Sequence, residues 1–216
     1  MKTNSSQPSI GARKPVRKHA QERFDALLDA TETLLADSGN EEVSLARIAE
    51  AADIPLASVY HFFPNRNAAF VALAERFHAE IGALKRTEPL PATWQGLLVQ
   101  SQKIGAAFLN SRPAALRLFL GAGVSVQVRN IDLEGNARIS RRRAEEFNRY
   151  FDIRVPELER KLAVTLALSD GIWALSYSIH GQITDDFIEE AAQASIAYLR
   201  CVLPEVVPLR SPPRSI

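Results

Sequence analysis

Three residues within one short stretch, Ser44, Tyr60 and Arg66, carry groups suited to an anion. A hydroxyl at a helix start sits where backbone N–H groups and the helix dipole favour negative charge. A phenol donates to a phosphate oxygen, and a guanidinium can pair with a phosphate through two parallel bonds. Each residue also has an ordinary use: Ser44 as a plain N-cap, Tyr60 and the adjacent His61 as helix-packing groups, Arg66 as a solvated charge. Upstream, Lys2, Arg13, Lys14, Arg17, Lys18 and Arg23 stand against the lone acid Glu22, although the whole chain carries a net charge of only +1. Counterion release depends on local Lys and Arg, so such an arm could serve a polyanion. The same composition also suits a solubilising disordered tail.

The elements around these residues read as helices. Gly39, Pro64, Pro89, Pro91, Pro113, Pro156 and Pro204 punctuate the chain, and the segments between them carry helical rather than alternating periodicity. In the first helix Phe24, Leu27, Leu28, Thr31, Leu34 and Leu35 recur at three- and four-residue steps, with Gly39 ending it. Ser44 then starts a short helix from Leu45 to Ala51 or Ala52, a tight turn at Asp53-Ile54 follows, and a second short helix runs from about Pro55 to His61. Leu45, Ile48, Ala49, Ile54 and Val59 are the apolar pins. Two helices this short need neighbours to stabilise them, which leaves one face of the second free to enter a major groove. A longer helix follows Asn65, and further helices are expected at about 92–110, 113–127, 130–151, 156–180 and 185–202. Pro55, Pro113 and Pro156 read as helix starts, because proline in a first turn loses no hydrogen bond. Thr184 can cap the final helix. The fold class expected is all-α.

The string Ser44, Ile48, Ala49, Ala52, Ile54, Ser58, Val59, Tyr60, His61, Phe63, Pro64 and Arg66 resembles the helix-turn-helix signature of the TetR family of transcriptional regulators, over about residues 20–75. Three positions depart from it. Asp53 stands where a turn glycine is common, Ala57 where glycine is frequent, and Pro55 where a serine usually caps the recognition helix. Asp tolerates left-handed geometry, so the turn is expected to survive. Pro55 offers neither the hydroxyl nor the N–H with which a serine meets phosphate. Ser-, Pro- and Lys/Arg-rich composition reads as a disordered basic arm over 1–18, and the resemblance implies a three-helix DNA-binding domain over 19–66 and a ligand-binding and dimerisation domain over 67–207. Residues 67–86 of the latter would form a connecting helix, and 208–216 a disordered tail. It assigns Ser44, Tyr60 and Arg66 to phosphates, and Leu56, Ala57, Ser58 and His61 to the groove surface. Arg17 and Lys18 extend the set from the arm. Leu56 and Ala57 can meet thymine methyls, while Arg47, Ser58 and His61 are the candidates for polar base readout.

The second half carries weaker signals. In the family the last two helices pair across a twofold axis, and Leu162 to His180 with Thr184 to Val202 resembles that seam. Its small stripe Ala163, Ala167, Gly171 and Ala174, with Ala191, Ala194 and Tyr198 on the last helix, is the expected dimer interface, since small residues let helices approach closely. A palindromic operator needs two recognition helices about 34–36 Å apart, so the implied protein is a homodimer. Trp94, Phe108, Phe119, Trp173 and Tyr177 are candidates for lining a small-molecule chamber, although plain core is the more ordinary use of each. Asp170, an acid in an apolar helix, needs a partner and would bond either a structural donor or a ligand. The run Arg138, Arg141, Arg142, Arg143 with Glu145 and Glu146 reads as a solvated face.

The function expected is a ligand-responsive DNA-binding regulator, most simply a repressor released from operator DNA by a small apolar or aromatic effector. An architectural DNA-binding protein without effector is the alternative, and a helical enzyme the weaker one. No phosphate-cradling glycine loop, metal-ligand spacing or nucleophile with a recognisable base is visible, so neither catalytic residues, a metal nor a cofactor is expected. Cys201 is the lone cysteine, and no leader pattern opens the chain, which suits a cytoplasmic protein. Ala163 to Ile179, interrupted by Ser169, Asp170 and Gly171, reads as a buried helix rather than a membrane span.

Overall fold

The computed structural model describes residues 11–15, 17–38, 43–86 and 89–210. Among them are nine helices: α1 (Lys18–Ser38), α2 (Leu45–Ala51), α3 (Leu56–Phe62), α4 (Arg66–Ala83), α5 (Trp94–Asn110), α6 (Pro113–Leu120), α7 (Val126–Tyr150), α8 (Leu158–His180) and α9 (Asp185–Arg200). The only strand-like feature among the described residues is an isolated antiparallel bridge between Phe151 and Leu209.

The N-terminal head is built from local rules. On α1, Phe24, Leu27, Leu28, Thr31 and Leu35 are buried along one face. Ser44 caps α2, its side chain accepting from Arg47 N at 3.2 Å, and Leu45, Ile48 and Ala49 point inward. The turn requires positive φ, and Asp53 adopts it at +52°. Pro55 precedes α3 with φ −54° and makes no side-chain cap. Phe24 of α1 meets Phe62 and Phe63 at ring-centroid distances of 5.7 and 5.2 Å, which fixes α3 against its support helix. Asn65 caps α4, accepting from Ala68 N at 2.9 Å.

An ionic joint ties this head to the body. Arg76 of α4 bonds Asp29 and Glu32 of α1 at 2.6 and 2.5 Å. Arg112 at the start of α6 reaches Glu32 at 3.3 Å and also Glu80 of α4, and Arg117 donates to the Leu35 carbonyl at 2.6 Å. Beneath it runs one apolar core shared by the head, α4 and α6, with Phe77, Ala106, Leu118, Val128 and Trp173 among its members.

A second core gathers Trp94, Leu97, Leu98, Phe147, Phe151, Leu162, Leu199 and Leu203 at the far end of the body. Gln102 crosses between helices there. Its Nε2 donates to Ser169 Oγ at 2.6 Å and to Ser195 Oγ at 3.4 Å, joining α5 to α8 and α9. Asn110 pins the α8–α9 turn, giving and receiving a bond with Ile183 at 2.7 and 2.9 Å.

Several expectations need correction. The helix expected over 113–127 stops at Leu120, and the next begins at Val126 rather than near 130. Gly121, extended at φ −74° and ψ 157°, ends the first, and Ser125 caps the second by accepting from Val128 N at 3.2 Å. Pro156 does not begin α8: it lies in a turn before Glu157, whose φ is +53°. Thr184 holds the N-cap position of α9 without a side-chain cap bond, its hydroxyl donating to Asp186 instead. At the C-terminus, residues 208–210 are not a loose tail: Asp152 N donates to Pro208 O at 2.9 Å and Arg210 N to Tyr150 O at 2.8 Å. The remainder of that tail, residues 1–10 of the arm and Gly39 lie outside the described residues.

One close approach makes a testable demand. A Cβ built on Gly135 of α7 would lie 2.1 Å from His78 Nδ1, and the buried His78 bonds Asp132 at 3.2 Å through Nε2. Gly135→Ala adds about 1 kcal/mol of helix propensity. Against this stand about 1–3 kcal/mol of overpacking and a similar loss if His78 must leave Asp132. The net expectation is a protein destabilised by about 1–3 kcal/mol. Thermal melting checks it, and an unchanged melting temperature would show that α4 and α7 are less tightly apposed.

Candidate nucleic-acid interface

Packing decides which face of α3 is presented. Val59 and Phe62 are buried, whereas Leu56, Ala57, Tyr60 and His61 are exposed and Ser58 is half-buried. Tyr60 is 55% exposed, too much for a helix-packing role, and Leu56 is 39% exposed. Ser44 fulfils its plain structural use as a cap and is exposed as well. Because Oγ accepts from Arg47 N, its O–H hydrogen remains available to donate outward. Arg66 is exposed at the first position of α4, and Arg47 is half-buried on α2.

The arm is closer to this face than a loose tail would be. Arg13 N donates to the Phe62 carbonyl at 2.9 Å, and Lys14 pairs with Glu75 at 2.8 Å. These bonds dock residues 11–15 against the end of α3 and against α4, so this part of the 1–18 arm departs from the expected disorder. Beside it, Arg17, Lys18, His19, Arg23, Ser58 and His61 line an open cleft between the start of α1 and the end of α3. Sequence reasoning named Arg17 and Lys18 but not His19 or Arg23 as site residues. The four-residue step from His19 to Arg23, one helical turn, was the available signal.

The body holds a cavity of about 340 Å³ between α4, α5 and α7. Ile81, Leu84, Ile104 and Ile139 give it apolar walls, and Gly105 and Gly135 thin them. The residues expected to line a chamber do not line this one. Trp94 is buried in the second core with Nε1 bonded to Pro204 O at 3.0 Å. Phe108 and Phe119 pack edge-on to Phe77 at 6.4 and 6.2 Å, and Tyr177 packs against the first core. Trp173 lies behind the wall, where a Cβ on Gly105 would meet its ring at 3.1 Å. Asp170 accepts from Asn136 Nδ2 at 2.8 Å, the structural option. Burial and the neighbouring Asp132 push its pKa up to about 7.

The arginine run is not uniformly a solvated face. Arg141 is exposed and faces Glu159. Arg142 donates to the Gly82 and Leu84 carbonyls at the end of α4. Arg143 lines the cavity, and its Nη1 is buried without a hydrogen-bond partner. Its spacing held the clue: Ile139 and Phe147 lie four residues to either side, so Arg143 sits on the inward stripe of α7.

On α8, Ala167, Gly171, Leu175 and Ile179 form an exposed stripe at four-residue steps, and Leu175 and Ile179 are 54% and 59% exposed. Ala163, Ala174, Ala194 and Tyr198 are half-buried. Ala191 is fully buried within its own chain and has no surface left for a partner, contrary to expectation. α8 is, by length and composition, apolar enough to cross a membrane, with a mean hydropathy of 1.4 over its most apolar window. Ser169, Asp170 and Trp173 nevertheless place one side of it in the body.

Among the described residues, a helix-turn-helix with an exposed outer face beside a basic cleft stands on a helical body. The family model described as bacterial regulatory proteins, tetR family, matches residues 27–73. The fold extends the likeness over the body. A TetR-family transcriptional regulator from Streptomyces coelicolor is 25% identical with a TM-score of 0.67, covering 84% of this chain and 99% of that one. A transcriptional regulator from Rhodococcus sp. Rha1 is 20% identical with a TM-score of 0.63, covering 86% and 99%. RolR, solved in complex with resorcinol, is 19% identical with a TM-score of 0.58, covering 86% and 89%. No curated protein matches the chain in sequence. Residues 27–73 thus match the head of the tetR family, and the fold as a whole is that of TetR-family transcriptional regulators.

Proposed function

We propose that the protein is a homodimeric cytoplasmic repressor that holds a palindromic operator through paired α3 helices and leaves it when a small molecule enters the cavity between α4, α5 and α7. The observation that carries this reading is the reach of α4. It begins at Arg66 beside the recognition helix and ends among the cavity walls at Ala79, Ile81 and Gly82. A ligand that repositions the far end of this helix acts on the head without touching it. A groove of about 770 Å³ between α5 and α9 is larger, but α4 contributes nothing to it. A body with such a cavity favours an effector-responsive regulator over an architectural DNA-coating protein, and resorcinol in RolR is an example of a small ligand on this fold.

In this reading Ser44, Tyr60 and Arg66 contact phosphates, with Arg17, Lys18 and Arg23 adding charge from the cleft. Leu56, Ala57, Ser58 and His61 face the base edges, and Arg47 supplements them from α2. The dimer forms along the exposed α8 stripe with Ala194 and Tyr198 of α9. A ligand can release DNA only by binding the DNA-incompetent arrangement more tightly, and a coupling of about 1–3 kcal/mol gives roughly 5- to 150-fold release.

Phosphate contacts make a specific prediction. Arg66→Ala and Tyr60→Phe each weaken binding to operator and nonspecific duplex alike, and Arg66→Ala lowers the slope of log K against log salt by about one unit. Gel-shift titration at several salt concentrations reads both effects. Unchanged affinity in both variants would remove this face from the interface.

A further inference from the structure

The cavity is more cationic than a chamber for neutral aromatics requires. Its charged lining is Lys85, Arg86, Arg138, Arg142 and Arg143 against the single acid Glu146. Internal bonds account for part of the excess. Arg86 donates to Glu146 at 3.0 and 2.7 Å, to the Leu97 carbonyl at 3.1 Å and to Ser101 Oγ at 2.9 Å. Arg142 is engaged with the two carbonyls that end α4. Lys85 and Arg138 are exposed at the rim.

Arg143 is what remains. Burial and the neighbouring Arg86 lower its pKa to about 10, which still leaves the guanidinium charged at neutral pH. Nη1 has no acceptor. Glu146 offsets part of the charge but is already bonded by Arg86, and Asp170 is a weaker counter-charge still, since burial holds its own carboxyl near half-ionised at neutral pH and Asn136 already bonds it. A buried charged donor without an acceptor is costly, and an anion brought in from solvent removes that cost. The guanidinium fork matches a carboxylate in particular. One buried cation with an open donor calls for one negative charge against it, and the isoleucine and leucine walls call for an apolar body. The volume, at the low end for ligand pockets, calls for a small one.

We propose that this cavity, taken as the effector chamber argued above, accepts a small organic monocarboxylate whose headgroup pairs with Arg143 and whose apolar body lies against Ile81, Leu84, Ile104 and Ile139. Rim charges at Lys85 and Arg138 attract the anion toward the opening.

The test uses matched pairs that differ only in charge: octanoate with octanamide, benzoate with benzamide, and cinnamate with cinnamamide. Each is titrated into the full-length protein by calorimetry and checked by thermal shift, which rises with ligand binding to the native state. At least one acid is expected to bind ten-fold or more tightly than its amide. Arg143→Met should abolish that preference, and Arg143→Lys should retain part of it. The wild-type comparison stands on its own should Arg143→Met fail to fold. Amides that bind as well as acids would overturn the carboxylate proposal while leaving the effector chamber intact. A panel in which neither member of any pair binds would remove the chamber reading together with it.

Discussion

Leu175→Asp is expected to give a folded monomer that no longer grips an operator. Leu175 is 54% exposed in the protomer, so the substitution removes little from the chain's own core, and surface changes of this kind stay within about 0.5 kcal/mol. In a twofold pair the same residue recurs on the facing helix. Two carboxylates would then be desolvated near one another, at an effective penalty of several kcal/mol per ion. Losing the dimer turns two linked half-site contacts into one, and such linkage is worth roughly 10²- to 10⁴-fold in affinity. Ala167→Trp, two stripe positions and about two helical turns away, should act in the same direction by bulk. Light scattering and gel shift read the two effects. A variant that remains dimeric with intact binding would take α8 out of the seam.

Asp170→Asn is expected to stabilise the protein above neutral pH and to do little under acid conditions. The carboxyl pKa is raised from 3.8 to about 7 in the fold, so between those values the native state holds a proton that the unfolded chain has released. Stability from this group is therefore complete below pH 4, falls as pH rises toward 7, and stays low above it. A shift of this size corresponds to about 4 kcal/mol at most, and residual solvent contact reduces it to roughly 2–4. Asparagine keeps an acceptor for Asn136 and removes the titration. The difference in melting temperature between variant and wild type should grow by several degrees from pH 4.5 to pH 8. A difference that is flat with pH would mean that Asp170 is already ionised in the fold.

The head was legible in the sequence because its determinants are local. Ser44 before a helix, Asp53 at a tight turn and the burial rhythm Leu45, Ile48, Ala49 and Val59 each act over a few residues, and each is realised where it was read. The exposed face of α3 follows from the same rhythm. What escaped was decided by contacts between distant segments. For the aromatics the choice between chamber lining and plain core stayed open, because bulk and spacing say nothing about which side of a helix meets a void. Trp94 instead meets Pro204, and Phe119 lies 4.8 Å from the ring of His78. Arg143 was read as solvated because its neighbours in sequence are charged, whereas α4 and α5 close over its position on α7. The arm and the last residues were read as loose on composition, whereas bonds to Phe62 and Glu75 hold residues 11–15 and bonds with Tyr150 and Asp152 hold 208–210.

The second core also sets an order of events during synthesis. Trp94 donates to the carbonyl of Pro204, 110 positions later, and Leu203 and Val207 complete the same cluster. At roughly 5–20 residues per second, the ribosome delivers that closing segment about 5–20 s after the start of α5. The head has by then emerged with its own local contacts, while α8 and α9 are among the last helices to appear. On the proposed reading, α3 therefore exists on the nascent chain before the proposed dimer can assemble. Premature termination before Leu203 would leave the helix-turn-helix head on a body whose second core cannot close.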